Sequence, residues 1–477
     1  MSALGSPPPV RVAFITLGCD KNTVDSERYL AELVGHGAEF TRVLDEANVI
    51  VVNTCGFIDA AKQESIDALV QAGRLKADGS CRAVVAVGCM VERHKAELLA
   101  ELPEVDFFLS NSEIGTLIPV LEERGVLGPA DALVRHPGVR LYAGDLPHVR
   151  YLKISEGCDH GCAFCAIPLM RGKHRSFAFD DVVREAQLLE LQGARELNLV
   201  AQDLAHYGRD VRDGVGLAEL LERLLEETSV PWLRMLYLYS IGLTPNLLEL
   251  MARKPRILPY LDIPIQHASD AVLVRMRRPE RARTIRERVA RVREVVGDAL
   301  AIRTTCIVGF PGETADDFAR LCDFLEETRF ERVGAFTYSP QAGTRAAELA
   351  DDVPEDVKQE RLERLSDLQR AITAERYERF IGRRVQALVD HGAMDGEPAQ
   401  ARVIWQADDV DGITQLVGDA APGSLLDVRI DDVIDDYDFR ATVLRTIERA
   451  PARARASRSL PVMAGGGIGA GGGSFGR

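Results

Sequence analysis

No run in these 477 residues approaches the roughly 18 consecutive apolar side chains that a membrane-spanning helix needs. Residues 1–9 are short and Pro-rich, without a basic stretch leading into an apolar one, so no signal peptide is expected and the cytoplasm is the expected location. A basic surplus is missing too. The net charge is −15, which argues against a general nucleic-acid binder and fits a basic partner. The cysteine count is odd, nine, at positions 19, 55, 81, 89, 158, 162, 165, 306 and 322. An odd set without an export signal does not read as a disulfide framework; clustered thiols in a reducing compartment bind metal or react.

What is present is an ordinary globular composition, 46% hydrophobic and 27% charged, long enough for about three domains. Residues 11–17, 48–53 and 83–87 read as buried strands, with helical patterns at 25–33 and 60–72 between them. That alternation predicts βαβ units and an open parallel sheet. The pattern restarts with strands at 151–155, 196–201, 233–237, 260–263, 301–308 and 332–337, separated by helices such as 181–192, 217–227 and 315–329. Six βα units suit a partial (βα)6 barrel better than a full eight-fold one. Residues 354–379 form a long charged helix, and short strands at 385–390, 401–404, 427–430 and 441–443 predict a small all-β barrel. The expected division is 10–130, 145–378, 380–447 and a Gly-rich disordered tail over 448–477.

Cys158, Cys162 and Cys165 lie in a C-x3-C-x2-C spacing. A zinc site ordinarily completes four ligands, whereas three thiolates on a 4Fe–4S cluster leave one iron open for substrate or cofactor. The segment follows the first barrel strand, on the edge where such barrels place their active sites. His160 is the one nearby side chain that could add a fourth ligand. A second set is dispersed. Cys19, Cys55 and Cys89 each come just after a strand of the first sheet, at intervals of 36 and 34 residues. Strand ends of a parallel sheet share one ligand-binding edge, so the three thiols are predicted to converge there. Cys81, Cys306 and Cys322 read as buried free thiols.

The C-x3-C-x2-C segment resembles that of the radical S-adenosylmethionine (SAM) superfamily. The resemblance implies that SAM chelates the open iron and that an electron from the cluster releases a 5′-deoxyadenosyl radical. Residues 10–447 as a whole resemble the methylthiotransferases of that superfamily, which join a three-cysteine domain, a radical SAM barrel and a TRAM β-barrel. The stretches LGCDKNTVDS (17–26), VNTCGFID (52–59), YLKISEGC (151–158) and PYLDIPIQHAS (259–269) look like the branch that modifies a ribosomal protein. The implied reaction adds a methylthio group to the β-carbon of an aspartate in small-subunit ribosomal protein twelve. It uses two SAM molecules and a sulfur held on a second 4Fe–4S cluster. Cys19, Cys55 and Cys89 match the auxiliary-cluster ligands; Cys158, Cys162 and Cys165 match the SAM-cluster ligands. A low-potential flavodoxin or ferredoxin is the implied electron donor.

Other residues at the predicted barrel mouth have two readings each. Gln202 and Asp203 contact SAM or substrate, or cap a helix. The turn from Gly309 to Glu313 shapes the SAM pocket or simply starts a helix. Gln266 belongs with the cofactor set, and His267 beside it is functional or structural. Phe177 stands where the family usually has an arginine. In residues 383–446, six arginines face thirteen acids, a balance of −7. Such a surface repels phosphate and suits a basic protein, so nucleic-acid contact is expected only through the ribosome; the alternative is an acidic face with no partner. The competing functions are methylthiolation of a tRNA adenosine and a non-enzymatic cluster carrier.

Overall fold

The computed structural model describes residues 9–128, 140–142, 144–211, 215–408 and 410–450. Most of the expected tail, from 451 onward, lies outside them. Near the N-terminus, β1 (Arg11–Thr16), β2 (Glu39–Phe40), β3 (Val49–Thr54), β4 (Ala83–Gly88) and β5 (Phe107–Leu109) form a parallel sheet in the order β2-β1-β3-β4-β5. Every residue of β3 and β4 is buried. Continuous apolar strands are what a parallel sheet covered on both faces requires. The covers are α1 (Asp20–Gly35), α2 (Asp59–Asp78), α3 (Cys89–Glu101) and α4 (Leu117–Glu123). The short edge strands β2 and β5 carry too few residues to show a sequence period.

The second sheet has six parallel strands in chain order. They are β6 (Val149–Lys153), β9 (Glu196–Val200), β10 (Trp232–Met235), β11 (Ile257–Asp262), β12 (Ala301–Val308) and β13 (Arg332–Thr337). Sequential order with no closing pair is the expected partial barrel. A two-stranded ribbon, β7 (Ser155–Glu156) with β8 (Arg175–Ser176), brackets the C-x3-C-x2-C segment and α5 (Ile167–Arg171). The outer layer is α6 (Phe179–Leu191), α7 (Leu217–Glu227), α8 (Pro245–Arg253), α9 (Asp270–Arg275), α10 (Ala282–Val296) and α11 (Ala315–Thr328). The main core packs between these helices and the sheet, and the side chains of Cys306 and Cys322 are buried in it.

The long helix α12 (Glu355–Glu378) leads into a closed five-stranded barrel, in the order β14 (Arg384–His391), β15 (Gln400–Val403), β16 (Thr414–Val417), β18 (Asp438–Glu448), β17 (Leu425–Ile434). The sequence reading found four of these strands and missed β16. No described helix is long and apolar enough to cross a membrane.

Ion pairs without solvent join the sheet to the barrel. Glu196 receives Arg234 at 2.7 Å and Arg402 at 2.6 Å, and Arg402 also donates to Asp390 at 2.8 Å. Glu196 and Arg234 are wholly buried. Several barrel acids are therefore internal: Asp390 also meets His148, and Asp427 takes Arg384 and Arg445. Removing one partner of a buried pair leaves the other charge uncompensated, at about 3–5 kcal/mol. Glu196→Ala should lower the thermal midpoint and free the C-terminal barrel to proteolysis; calorimetry with limited digestion checks this.

Candidate iron–sulfur and cofactor site

The first three thiols meet because β1, β3 and β4 are neighbours in register, with Thr16 opposite Asn53 and Thr54 opposite Gly88. Cys19 caps the start of α1, Cys55 follows β3 directly, and Cys89 opens α3. Gly18 permits the close approach. Its φ is +90°, and a Cβ there would lie 2.9 Å from the Cys55 Sγ. Asn22 ties the loops together. Its Nδ2 donates to the Leu17 carbonyl at 2.7 Å and to that of Thr54 at 3.2 Å, and its own carbonyl accepts from Asn53 at 2.9 Å. Burial pushes the Cys89 thiol up to about 11 and raises Cys55, with the Arg171 guanidinium opposing both shifts.

The other three thiols sit on the segment between β7 and α5. Gly157, at φ +79°, admits the Lys173 carbonyl where a Cβ would clash. The Cys158 N–H donates to the Gly172 carbonyl at 3.1 Å, and that of Ala163 to Met276 at 2.9 Å, which pins the segment at both ends. Cys162 Sγ lies 3.1 Å from the Tyr239 hydroxyl. The ring of Tyr239 stacks on His160 at 3.9 Å, and the Arg278 guanidinium lies 4.0 Å from its centroid. Burial pushes Cys158 up to about 11 and Cys165 to about 12, and the neighbouring Cys162 adds to both.

Among the described residues, only the ligand atoms of His160, Asp203 and His206 form a group of three within 4.8 Å of one another. Three thiolates at a site fit a 4Fe–4S centre with one iron left open. His160 and His206 both bond Asp203 Oδ2, at 2.8 and 2.5 Å. Asp203 Oδ1 accepts the N–H groups of Ala205 and Tyr239, so this carboxylate caps a short turn and braces Tyr239. Those bonds hold Asp203 well below the usual carboxylate range against its burial.

The remaining expected residues line the barrel. Gln202 donates to Glu156 at 3.0 Å, while its Oε1 is buried without a partner. The same is true of Oε1 of Gln266, whose φ is +69° and whose backbone pairs with β12. Ser155 Oγ, Asp262 Oδ1 and both amide atoms of Asn198 are likewise buried and unpartnered among the described residues. Buried polar groups are rarely left this way, and Gln202, Asp262 and Gln266 lie at or just beyond the C-terminal ends of β9 and β11, where a polar ligand such as SAM could meet them. Gly309, at φ +71°, packs against the stem of Lys358, and a Cβ would lie 2.3 Å from its Cγ. Phe177 presents its ring to Arg28, Arg175 and Lys153, 5.2–5.9 Å from the centroid.

Sequence reasoning gave no role to Tyr239, Arg278 or Arg171. Each acts on a thiol more than 75 residues away in the chain, and no local pattern signals that.

His267 is fully buried; its Nδ1 accepts from Ser269 N–H at 2.9 Å and its Nε2 lies 3.7 Å from Glu313. Burial drives it down from 6.5 to about 3, with Asp317 opposing and Arg275 and Arg361 reinforcing the shift. Below pH 6.5 the unfolded chain takes a proton that the fold refuses, so stability falls with pH over that window. His267→Asn should flatten the acid limb of stability by up to about 1.4 kcal/mol per pH unit, read from denaturant titrations.

Comparison with known proteins follows the same division. Residues 11–110 match the family described as "Uncharacterized protein family UPF0004", and residues 152–325 match the Radical SAM superfamily. The chain is 46% identical over 462 residues to the ribosomal protein uS12 methylthiotransferase RimO of Anaeromyxobacter sp. (strain Fw109-5), covering 96% of this chain and 97% of that protein. It is 42% identical to the protein of that name from Desulforudis audaxviator (strain MP104C), covering 92% and 98%. Among solved structures, the radical S-adenosylmethionine methyltransferase TsrM from Kitasatospora setae shares the fold at a TM-score of 0.52 and 13% identity, over 72% of this chain and 78% of that one. With relatives of this identity along nearly its whole length, the chain belongs to the RimO family of radical SAM methylthiotransferases.

Proposed function

We propose that this protein methylthiolates the β-carbon of an aspartate in ribosomal protein uS12, with two SAM molecules and a cluster-held sulfur. The observation that carries the reading is the presence of two three-thiol sites linked by one short helix, in a chain that belongs to this family. Cys158, Cys162 and Cys165 hold the SAM-binding 4Fe–4S cluster, and Cys19, Cys55 and Cys89 hold the auxiliary one. When bound, these groups supply a 5′-deoxyadenosyl radical for hydrogen abstraction and the sulfur that is transferred.

The chain's own part is binding and placement. The thiols are buried or half-buried at a strand edge, where water is scarce and their ligand bonds are protected. Gln202 and Gln266 offer unpartnered amide oxygens to an amino or hydroxyl donor of SAM, and the buried Gly309, at φ +71°, turns the chain tightly beside the Lys358 stem. Asp203 acts through His160 and Tyr239, keeping the Tyr239 hydroxyl on Cys162.

In the C-terminal barrel, Asp395, Glu397, Asp419, Asp432 and Asp435 stay exposed after the internal pairs are formed. That residual negative face favours a basic ribosomal protein over the phosphates of tRNA. The reaction takes place in the cytoplasm, with electrons from a low-potential flavodoxin or ferredoxin.

Mass spectrometry on a gene-deletion strain tests the substrate. Ribosomal protein uS12 should lose the methylthio group, whereas loss from a tRNA adenosine with uS12 unchanged would overturn the reading in favour of the tRNA branch. Anaerobic reconstitution should give about eight irons per chain, falling to about four in Cys55→Ala. Reduction with SAM should then yield 5′-deoxyadenosine; a loaded protein that yields none is a carrier rather than an enzyme.

A further inference from the structure

Arg171 reaches out of the SAM-side loop into the other thiol site. It ends α5, which begins two residues after Cys165. Ala166, Ile167 and Met170 of this stretch pack directly on Cys89 in one small apolar cluster. Arg171 Nε donates to Cys89 Sγ at 3.1 Å. Its other nitrogens are already taken: Nη1 by Asp25 at 2.6 Å and Glu156 at 3.3 Å, and Nη2 by the Asn22 side-chain carbonyl. Lys153 pairs with the same two carboxylates. The four charges, Asp25, Glu156, Lys153 and Arg171, therefore cancel. What remains directed at the sulfur is one N–H, from a guanidinium whose side chain is 6% exposed.

We propose that Arg171 is a positioning residue of the auxiliary site, which holds the Cys89 thiolate in place and raises the reduction potential of the cluster bound by Cys19, Cys55 and Cys89. The inference rests on the reading of those cysteines as cluster ligands. A reduced cluster carries one more negative charge, spread in part onto its ligand sulfurs. A charge-assisted N–H···S bond stabilises that state more than the oxidised one, and burial strengthens the bond. The SAM-side trio has its own sulfur contact of this length, from the neutral Tyr239 hydroxyl to Cys162. Arg171 thus acts on one site while α5 sets its spacing from the other.

The test measures the midpoint potential of each cluster by EPR-monitored redox titration of the anaerobically reconstituted full chain. The auxiliary signal is assigned in a Cys158→Ala/Cys162→Ala/Cys165→Ala background. In Arg171→Lys, which keeps a cation for Asp25 and Glu156 but loses the Nε donor, the auxiliary midpoint should move to more negative potential. Arg171→Met should move it further, and the SAM-side midpoint should stay in place. An unmoved auxiliary midpoint at full iron content, or an equal shift of both clusters, overturns the proposal. Wild-type protein carrying 15N-arginine gives a reading that does not depend on variants folding. Pulsed EPR of the reduced auxiliary cluster should show coupling to one arginine nitrogen, and its absence also overturns the proposal. Wild-type protein holding only about four irons per chain, with no loss in Cys55→Ala, would instead remove the auxiliary cluster itself.

Discussion

A buried seam of opposite charges between α1 and β6 decides where everything else sits. Glu27 of α1 accepts Arg140 at 3.0 Å and Arg150 at 2.9 Å, and Asp25, two residues earlier, pairs with Lys153 and Arg171. Burial by itself would raise Asp25, yet Lys153 and Arg171 hold it at about 2. Taking such charges out of water costs several kcal/mol per ion, and their mutual attraction offsets this only when the geometry is good. The seam is therefore poor evidence for extra stability. Its effect is on register: a slip of α1 against β6 by one residue would strand four charges in a dry interface.

That register is what turns two separate thiol sets into a paired arrangement. The first sheet aims Cys19, Cys55 and Cys89 from the ends of three adjacent strands. The second presents Cys158, Cys162 and Cys165 on a segment pinned by Gly172 and Met276. Helix α5 spans the gap, with Cys165 just before its start and Cys89 packed on its side. Five helical residues at 1.5 Å rise each make a rigid spacer of under 10 Å. One site is joined to this helix by the chain and the other by packing on its side, so the separation follows from α5 together with the charge seam that seats it.

The C-terminal barrel shows how a formal charge count changes once the chain is folded. Of its thirteen acids, Asp390 and Asp427 are tied to arginines, and Asp411 accepts the Tyr260 hydroxyl at 2.5 Å and meets Arg332 at 3.1 Å. These acids join the barrel to the sheet below it or neutralise charge within the barrel itself. The exposed remainder is still negative, but it is narrower than the composition suggests.

The sequence alone determined the repeating units and the spacing of the thiols. Strand and helix periods are local, so two parallel sheets and a small β-barrel were legible, and so was the C-x3-C-x2-C segment, whose thiols lie within eight residues. The phase of Cys19, Cys55 and Cys89 was legible because each follows its own strand. The edge strands β2 and β5 were not, since two or three residues carry no period, and β16 was missed although β15, of the same length, was read. Tertiary structure alone decided which side chains attend the thiols. Asp25 and Lys153 are 128 residues apart, and Arg171 and Cys89 are 82 apart. The polar face of α1, with Lys21, Asn22, Asp25, Ser26 and Glu27, is buried, which the helical pattern over 25–33 did not signal. Charge pairing at such separations leaves no periodic trace along the chain; it exists only where folding has removed the water that would otherwise screen it.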